Sequence, residues 1–97
     1  MSNNLMEKLN NINISKFLTE FKNQYNYLYD NGDSNICGYY DALNEWDTFI
    51  QNDYAKEFVG RYIQYTNDFI SSDREVVAFM FALNTLMYED EQIIKAI

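Results

Sequence analysis

The chain has 97 residues, of which 47% are hydrophobic and 18% aromatic, with one cysteine, no proline, no histidine and a formal net charge of −8. That length fits one domain, residues 1–97, and so much apolar side chain excludes disorder, because its burial offsets the entropy of ordering the chain. Cys37 has no partner for an internal disulfide, the first ten residues lack the basic and apolar regions of a leader, and the longest apolar run, Val76 to Leu83, is too short to cross a bilayer.

Glycine occurs only at positions 32, 38 and 60, so the one sequence-level break is the polar stretch Asp30-Asn31-Gly32-Asp33-Ser34-Asn35, read as a loop. Before it, Leu5, Met6 and Leu9 predict a short leading helix. After a cap at Asn13 or Ser15, the apolar set Phe17, Leu18, Phe21, Tyr25, Leu28 and Tyr29 recurs at helical spacing, and Gly32 follows the end of that helix. Beyond the loop, Leu43, Trp46, Phe49 and Ile50 share one helical face, with Asp41, Glu45, Thr48 and Asn52 opposite. From 54 to 70, Tyr54, Phe58, Tyr62, Tyr65 and Phe69, with Ala55, Val59, Ile63 and Ile70, fill one half of a wheel. Charged and polar residues fill the other half, where Glu57 is placed to support Arg61 one turn on.

Ser72-Asp73-Arg74-Glu75 has the S-x-x-E pattern of a capping box, in which a serine oxygen and a glutamate carboxylate satisfy amide donors at a helix start. The helix it opens, Asp73 to about Met87, is apolar nearly all round and is predicted to be the buried centre of a bundle. A buried strand is the competing reading, since Phe and Val favour strands, but the capping box, Ala and Met favour helix. Glu89, Asp90 and Glu91 suit the first turn of a short last helix. The predicted fold is all-α, a small compact bundle of about four to six helices.

Chemistry is mostly removed by composition. No histidine is present to act as proton shuttle or triad base, no sequence feature gives Cys37 a base or an oxyanion site, and a small half-buried thiol is the expectation there. The oxygen-rich loop invites calcium, but it does not fit the EF-hand pattern: with Gly38 at the sixth position the twelfth is Asn44, and with Gly32 there the first is Tyr27. A turn rich in Asx residues explains the same letters. There is no zinc cluster and no glycine-rich phosphate loop. The expectation is a non-enzyme with no cofactor and no metal.

Charge is unevenly placed. Residues 30–97 hold thirteen of the fifteen carboxylates against Lys56, Arg61, Arg74 and Lys95, a net −9, while residues 1–29 come to +1. Such a surface disfavours anionic membranes and direct contact with nucleic acid, whose phosphates need clustered Lys and Arg. It suits a protein partner with a basic surface, such as a nuclease or CRISPR effector. The candidate partner-binding residues are Asp41 with Glu45 and Asp53 with Glu57, paired at helical spacing on predicted solvent faces, and Asp47, together with Glu89 and Asp90. Three tyrosines fall off the core faces and join them: Tyr27 beside Glu20 and Asn23, Tyr40 beside Asn44 and Asp47, and Tyr88 at the start of the acidic run. An exposed tyrosine beside carboxylates is suited to a binding hot spot, although a solvated acidic face explains each pair taken alone.

The segment Tyr39-Tyr40-Asp41-Ala42-Leu43 resembles an aromatic–acidic segment of barstar-like ribonuclease inhibitors, whose α/β fold the helical periodicity elsewhere does not match. No family is assigned. The first reading is a cytoplasmic inhibitor or adaptor, a monomer whose acidic face blocks a basic site on a nucleic-acid-handling protein by mimicking nucleic acid. Anti-CRISPR, antirestriction and nuclease-immunity proteins are the analogous classes by size and charge. The alternative is a self-associating helical structural module of a phage or mobile element, in line with the AT-rich codons that thirteen asparagines, nine isoleucines and nine tyrosines imply. A third reading is a small metal-dependent enzyme.

Overall fold

The computed structural model describes the backbone of residues 4–96 and the side chains of residues 5–87. Five helices follow in order: α1 (Asn4–Asn11), α2 (Ile14–Asn31), α3 (Tyr39–Phe49), α4 (Asp53–Thr66) and α5 (Asp73–Ala96), with a 3-10 turn at Asp33–Asn35 between α2 and α3. No strand occurs among the described residues, so the all-α expectation holds and the strand reading of 76–83 falls. No helix is long and apolar enough to cross a membrane among those residues.

Asparagine sets several of the boundaries, because its short carbonyl side chain accepts from free amide donors and its backbone tolerates the left-handed region. Asn13 Oδ1 accepts the Lys16 N–H at 3.0 Å at the start of α2. Asn52 Oδ1 accepts from Tyr54 and Ala55 at 2.8 and 3.3 Å at the start of α4. Asn67, at φ 60°, ends that helix by donating its N–H to the Ile63 carbonyl. Gly32, at φ 79°, closes α2 in the same conformation, a backbone state for which a residue without a Cβ is best suited. At the start of α5 the capping box is reciprocal: the Ser72 N–H and hydroxyl donate to Glu75 Oε1 at 3.0 and 2.8 Å, and the Glu75 N–H donates to Ser72 Oγ at 3.2 Å.

The helices meet around one ring. Phe79, fully buried in the middle of α5, lies 4.7 Å from Phe17 and 6.4 Å from Phe21 of α2, centroid to centroid. From α3, Trp46 and Phe49 approach it at 5.5 and 6.5 Å, and from α4, Phe58 and Tyr62 at 5.8 and 5.4 Å. Most of these contacts are edge-to-face, which brings the positive ring edge onto a negative face. Val77, Ala78, Met80, Ala82, Leu83 and Leu86 are buried around Phe79, so α5 is the central helix that its composition predicts. α2 and α3 pack on α5, while α4 packs on α1 and α2.

Four expectations are corrected. The polar stretch 30–35 is not all loop, because α2 runs on through Asn31 and the 3-10 turn follows. α5 continues to Ala96 instead of stopping near Met87 for a separate last helix, since no glycine or proline lies between Met87 and Glu91 to interrupt propagation. Tyr29, Tyr65 and Phe69 are exposed, not core. Tyr29 lies at the margin of the apolar wheel of α2, Tyr65 sits on the last turn of α4 at an open edge beside Ile14, and Phe69 follows the helix end at Thr66. Finally, Arg61 does not turn to Glu57; its guanidinium donates to the Leu9 and Ile12 carbonyls at 3.3 and 3.2 Å, where the C-terminal end of α1 leaves acceptors unfilled.

Phe79→Ala should cost about 3–5 kcal/mol in denaturant unfolding, with Phe79→Leu losing less, because the cavity lies where three outer helices converge. Ser72→Ala should cost about 1 kcal/mol. The Glu75 carboxyl is pushed up by burial but held below its ordinary value of 4.5 by hydrogen bonds from Ser72 and Ser71. Its contribution is therefore in place above pH 4.5 and lost as pH falls through the lowered value, so Glu75→Gln should flatten the acid limb of the melting temperature.

Candidate functional site

The carboxylates singled out by spacing lie on the outer sides of α3 and α4. On α3, buried Tyr39 and Ala42 and half-buried Leu43, Trp46 and Phe49 hold one side against the core. The 3.6-residue repeat then turns Tyr40, Asp41, Asn44, Glu45 and Asp47 outward, and all five are exposed. On α4, buried Ala55, Phe58 and Tyr62 likewise leave Asp53 and Glu57 exposed one turn apart. Asp41 and Asp53 sit in the first turns of their helices, where the backbone dipoles favour negative charge. Glu45, Asp47 and Glu57 have no such local reason to be acidic.

Tyr40 is 63% exposed, yet its ring stands edge-on to buried Tyr39 at 5.2 Å and 85°. A contact of that kind braces an exposed ring against the core. Tyr27 is also exposed but belongs to α2, where its carbonyl accepts from the Asn31 amide at 2.8 Å. Tyr88, Glu89 and Asp90 lie outside the residues whose side chains are described. The Cys37 thiol is exposed rather than half-buried, because it precedes Gly38 in the connection leading into α3.

Both described arginines of the acidic segment are engaged in the fold. Arg74 grips Asp33 with two parallel bonds, Nε to Oδ1 at 2.9 Å and Nη2 to Oδ2 at 2.8 Å. The same guanidinium lies over the Tyr29 and Tyr25 rings at 4.8 and 5.3 Å. Hydrogen bonding to Arg74 holds the Asp33 carboxyl below its usual range and pushes the Arg74 pKa upward. This clip joins the end of α2, the 3-10 turn and the start of α5. It also takes both oxygens of the central carboxylate in the stretch read for calcium, and no group of three metal-ligating side chains comes together among the described residues.

A groove not foreseen from the sequence lies beside the acidic face. It measures about 460 Å3, is open to solvent, and is lined by Asn44, Glu45, Thr48 and Phe49 of α3 and Met80 and Asn84 of α5. Its one local signal is Asn84, a polar residue interrupting the apolar run of α5.

Carboxyl titration by NMR should find Asp33 protonating below its ordinary value of 3.8, and Arg74→Ala should return it toward that value. Its stabilising effect is present above pH 3.8 and disappears as pH falls through the lowered value.

Comparison with protein-family models, with curated proteins and with solved structures finds no match for this chain.

Proposed function

We propose that this chain is a non-enzymatic inhibitor or adaptor, working in the cytoplasm as a monomer, whose α3–α4 face occupies a basic site on a nucleic-acid-handling protein such as a nuclease or CRISPR effector. The observation that supports this reading most is the joint exposure of Tyr40, Asp41, Glu45, Asp47, Asp53 and Glu57 on two consecutive helices. Between residues 30 and 87 the basic side chains are Lys56, which is exposed, Arg61, which donates to carbonyls at the end of α1, and Arg74, which is paired with Asp33. The exposed carboxylates of α3 and α4 outnumber the exposed Lys56 of α4, a balance suited to a groove built for phosphates. Charge steers the encounter, and Tyr40 contributes contact area once docked.

The test begins with affinity capture from source-cell extract, comparing wild type with the Glu45→Lys/Asp47→Lys double variant, followed by binding kinetics on the protein recovered. Charge reversal should slow association and flatten its salt dependence, Tyr40→Ala should mainly speed dissociation, and DNA or RNA should compete. A complex indifferent to both the reversals and the competitor would sink the reading. Light scattering across a concentration series checks the monomer: a tight dimer would favour the structural-module alternative instead.

A further inference from the structure

We infer that the groove between α3 and α5 is the seat for an arginine side chain of the partner. This rests on the acidic-face reading and narrows it to one recognition element. The groove adjoins that face through Glu45 and is a shallow, open site of about 460 Å3, with room for a single side chain laid along it. Its lining is divided. Met80 is buried and Phe49 half-buried, so they form an apolar floor, whereas exposed Asn44, Glu45, Thr48 and Asn84 supply a polar rim. The rim holds one carboxylate and, among the described residues, no cation.

That division selects the occupant. An anion is repelled by Glu45 and by the neighbouring Asp41. A purely apolar side chain leaves the carboxylate and the amide oxygens without partners as water is excluded. Arginine satisfies both halves: its methylene stem lies along the Met80 and Phe49 floor, and its planar guanidinium stacks on an aromatic face. The forked donors then reach the Glu45 carboxylate and the carbonyl oxygens of Asn44 and Asn84. Lysine shares the charge but lacks the planar face and the fork, so the site discriminates between the two cations.

The probe is acetyl-Gly-Arg-Gly-amide, titrated into the full chain and followed by two-dimensional NMR, with acetyl-Gly-Lys-Gly-amide as control. The arginine peptide should shift the side-chain amides of Asn44 and Asn84 and the backbone amides of Glu45 and Thr48 saturably. Glu45→Gln should weaken it roughly three- to tenfold, and the lysine peptide should bind several-fold more weakly than arginine. Asn84→Trp keeps every charge of the face while filling the groove, and should abolish the saturable response without unfolding the chain, since position 84 is exposed. Equal binding of the two peptides, shifts spread evenly over Asp41, Asp47, Asp53 and Glu57, or no saturable groove response up to about 20 mM peptide would overturn the inference. The acidic-face reading fails separately, through the charge-reversal experiment: if Asn84→Trp binds the recovered partner normally while Glu45→Lys/Asp47→Lys does not, the face stands and the groove falls.

Discussion

Everything in this bundle is arranged around the burial of Phe79. Six aromatic rings from α2, α3 and α4 converge on it within 6.5 Å, so each of those helices must turn its aromatic stripe toward the middle of α5. A helix has one inward side, and fixing it fixes the other. The acidic residues of α3 and α4 are outward because Trp46, Phe49, Phe58 and Tyr62 are inward. Packing of rings at the centre thereby determines the electrostatics at the surface.

The arginines connect these two scales. Arg61 satisfies carbonyls at the end of α1 and lies over the Phe58 ring at 5.5 Å, tying the leading helix to α4. Arg74 locks the 3-10 turn onto α5 and covers two tyrosines at the end of α2. Each adds a forked contact between helices that already pack together, α1 with α4 and α2 with α5. Both arginines of the acidic segment thus act as clips between segments, while Lys56 is exposed on α4 among its carboxylates. The inhibitor or adaptor role proposed for this chain draws on the remaining excess of exposed carboxylates, held on a packed scaffold.

The same framework explains why the groove beside Glu45 has a mixed lining. α3 is short and ends at Phe49, whereas α5 runs on past it, so Met80 and Asn84 of the longer helix meet the last turn of the shorter one. The apolar floor is the margin of the core, and the polar rim is the margin of the acidic face. The proposed occupant, a side chain with both an apolar stem and a charged head, is chosen for that mixed position.

Much of this was legible in the residues themselves. The helical character of the chain, the reciprocal Ser72–Glu75 cap, the burial of α5 and the exposure of Tyr27, Tyr40 and the five carboxylates follow from neighbours one turn apart, which periodicity and capping chemistry encode locally, whereas the helix ends at Asn31 and Thr66 do not. Tertiary structure decided which aromatics entered the core: Tyr29, Tyr65 and Phe69 belong to the same apolar pattern as Phe17 and Phe58 but stay exposed, at the margin of α2, on the last turn of α4 and beyond its end. It also decided the arginine partners, since Asp33 and Arg74 are 41 residues apart and Leu9 and Arg61 are 52 apart. The groove belongs to that second group, built from residues of α3 and α5 that no local rule relates. A helix carries in its sequence which side is apolar; how far its neighbours extend along that side is set by the lengths and crossing of other helices, and that emerges only when they pack.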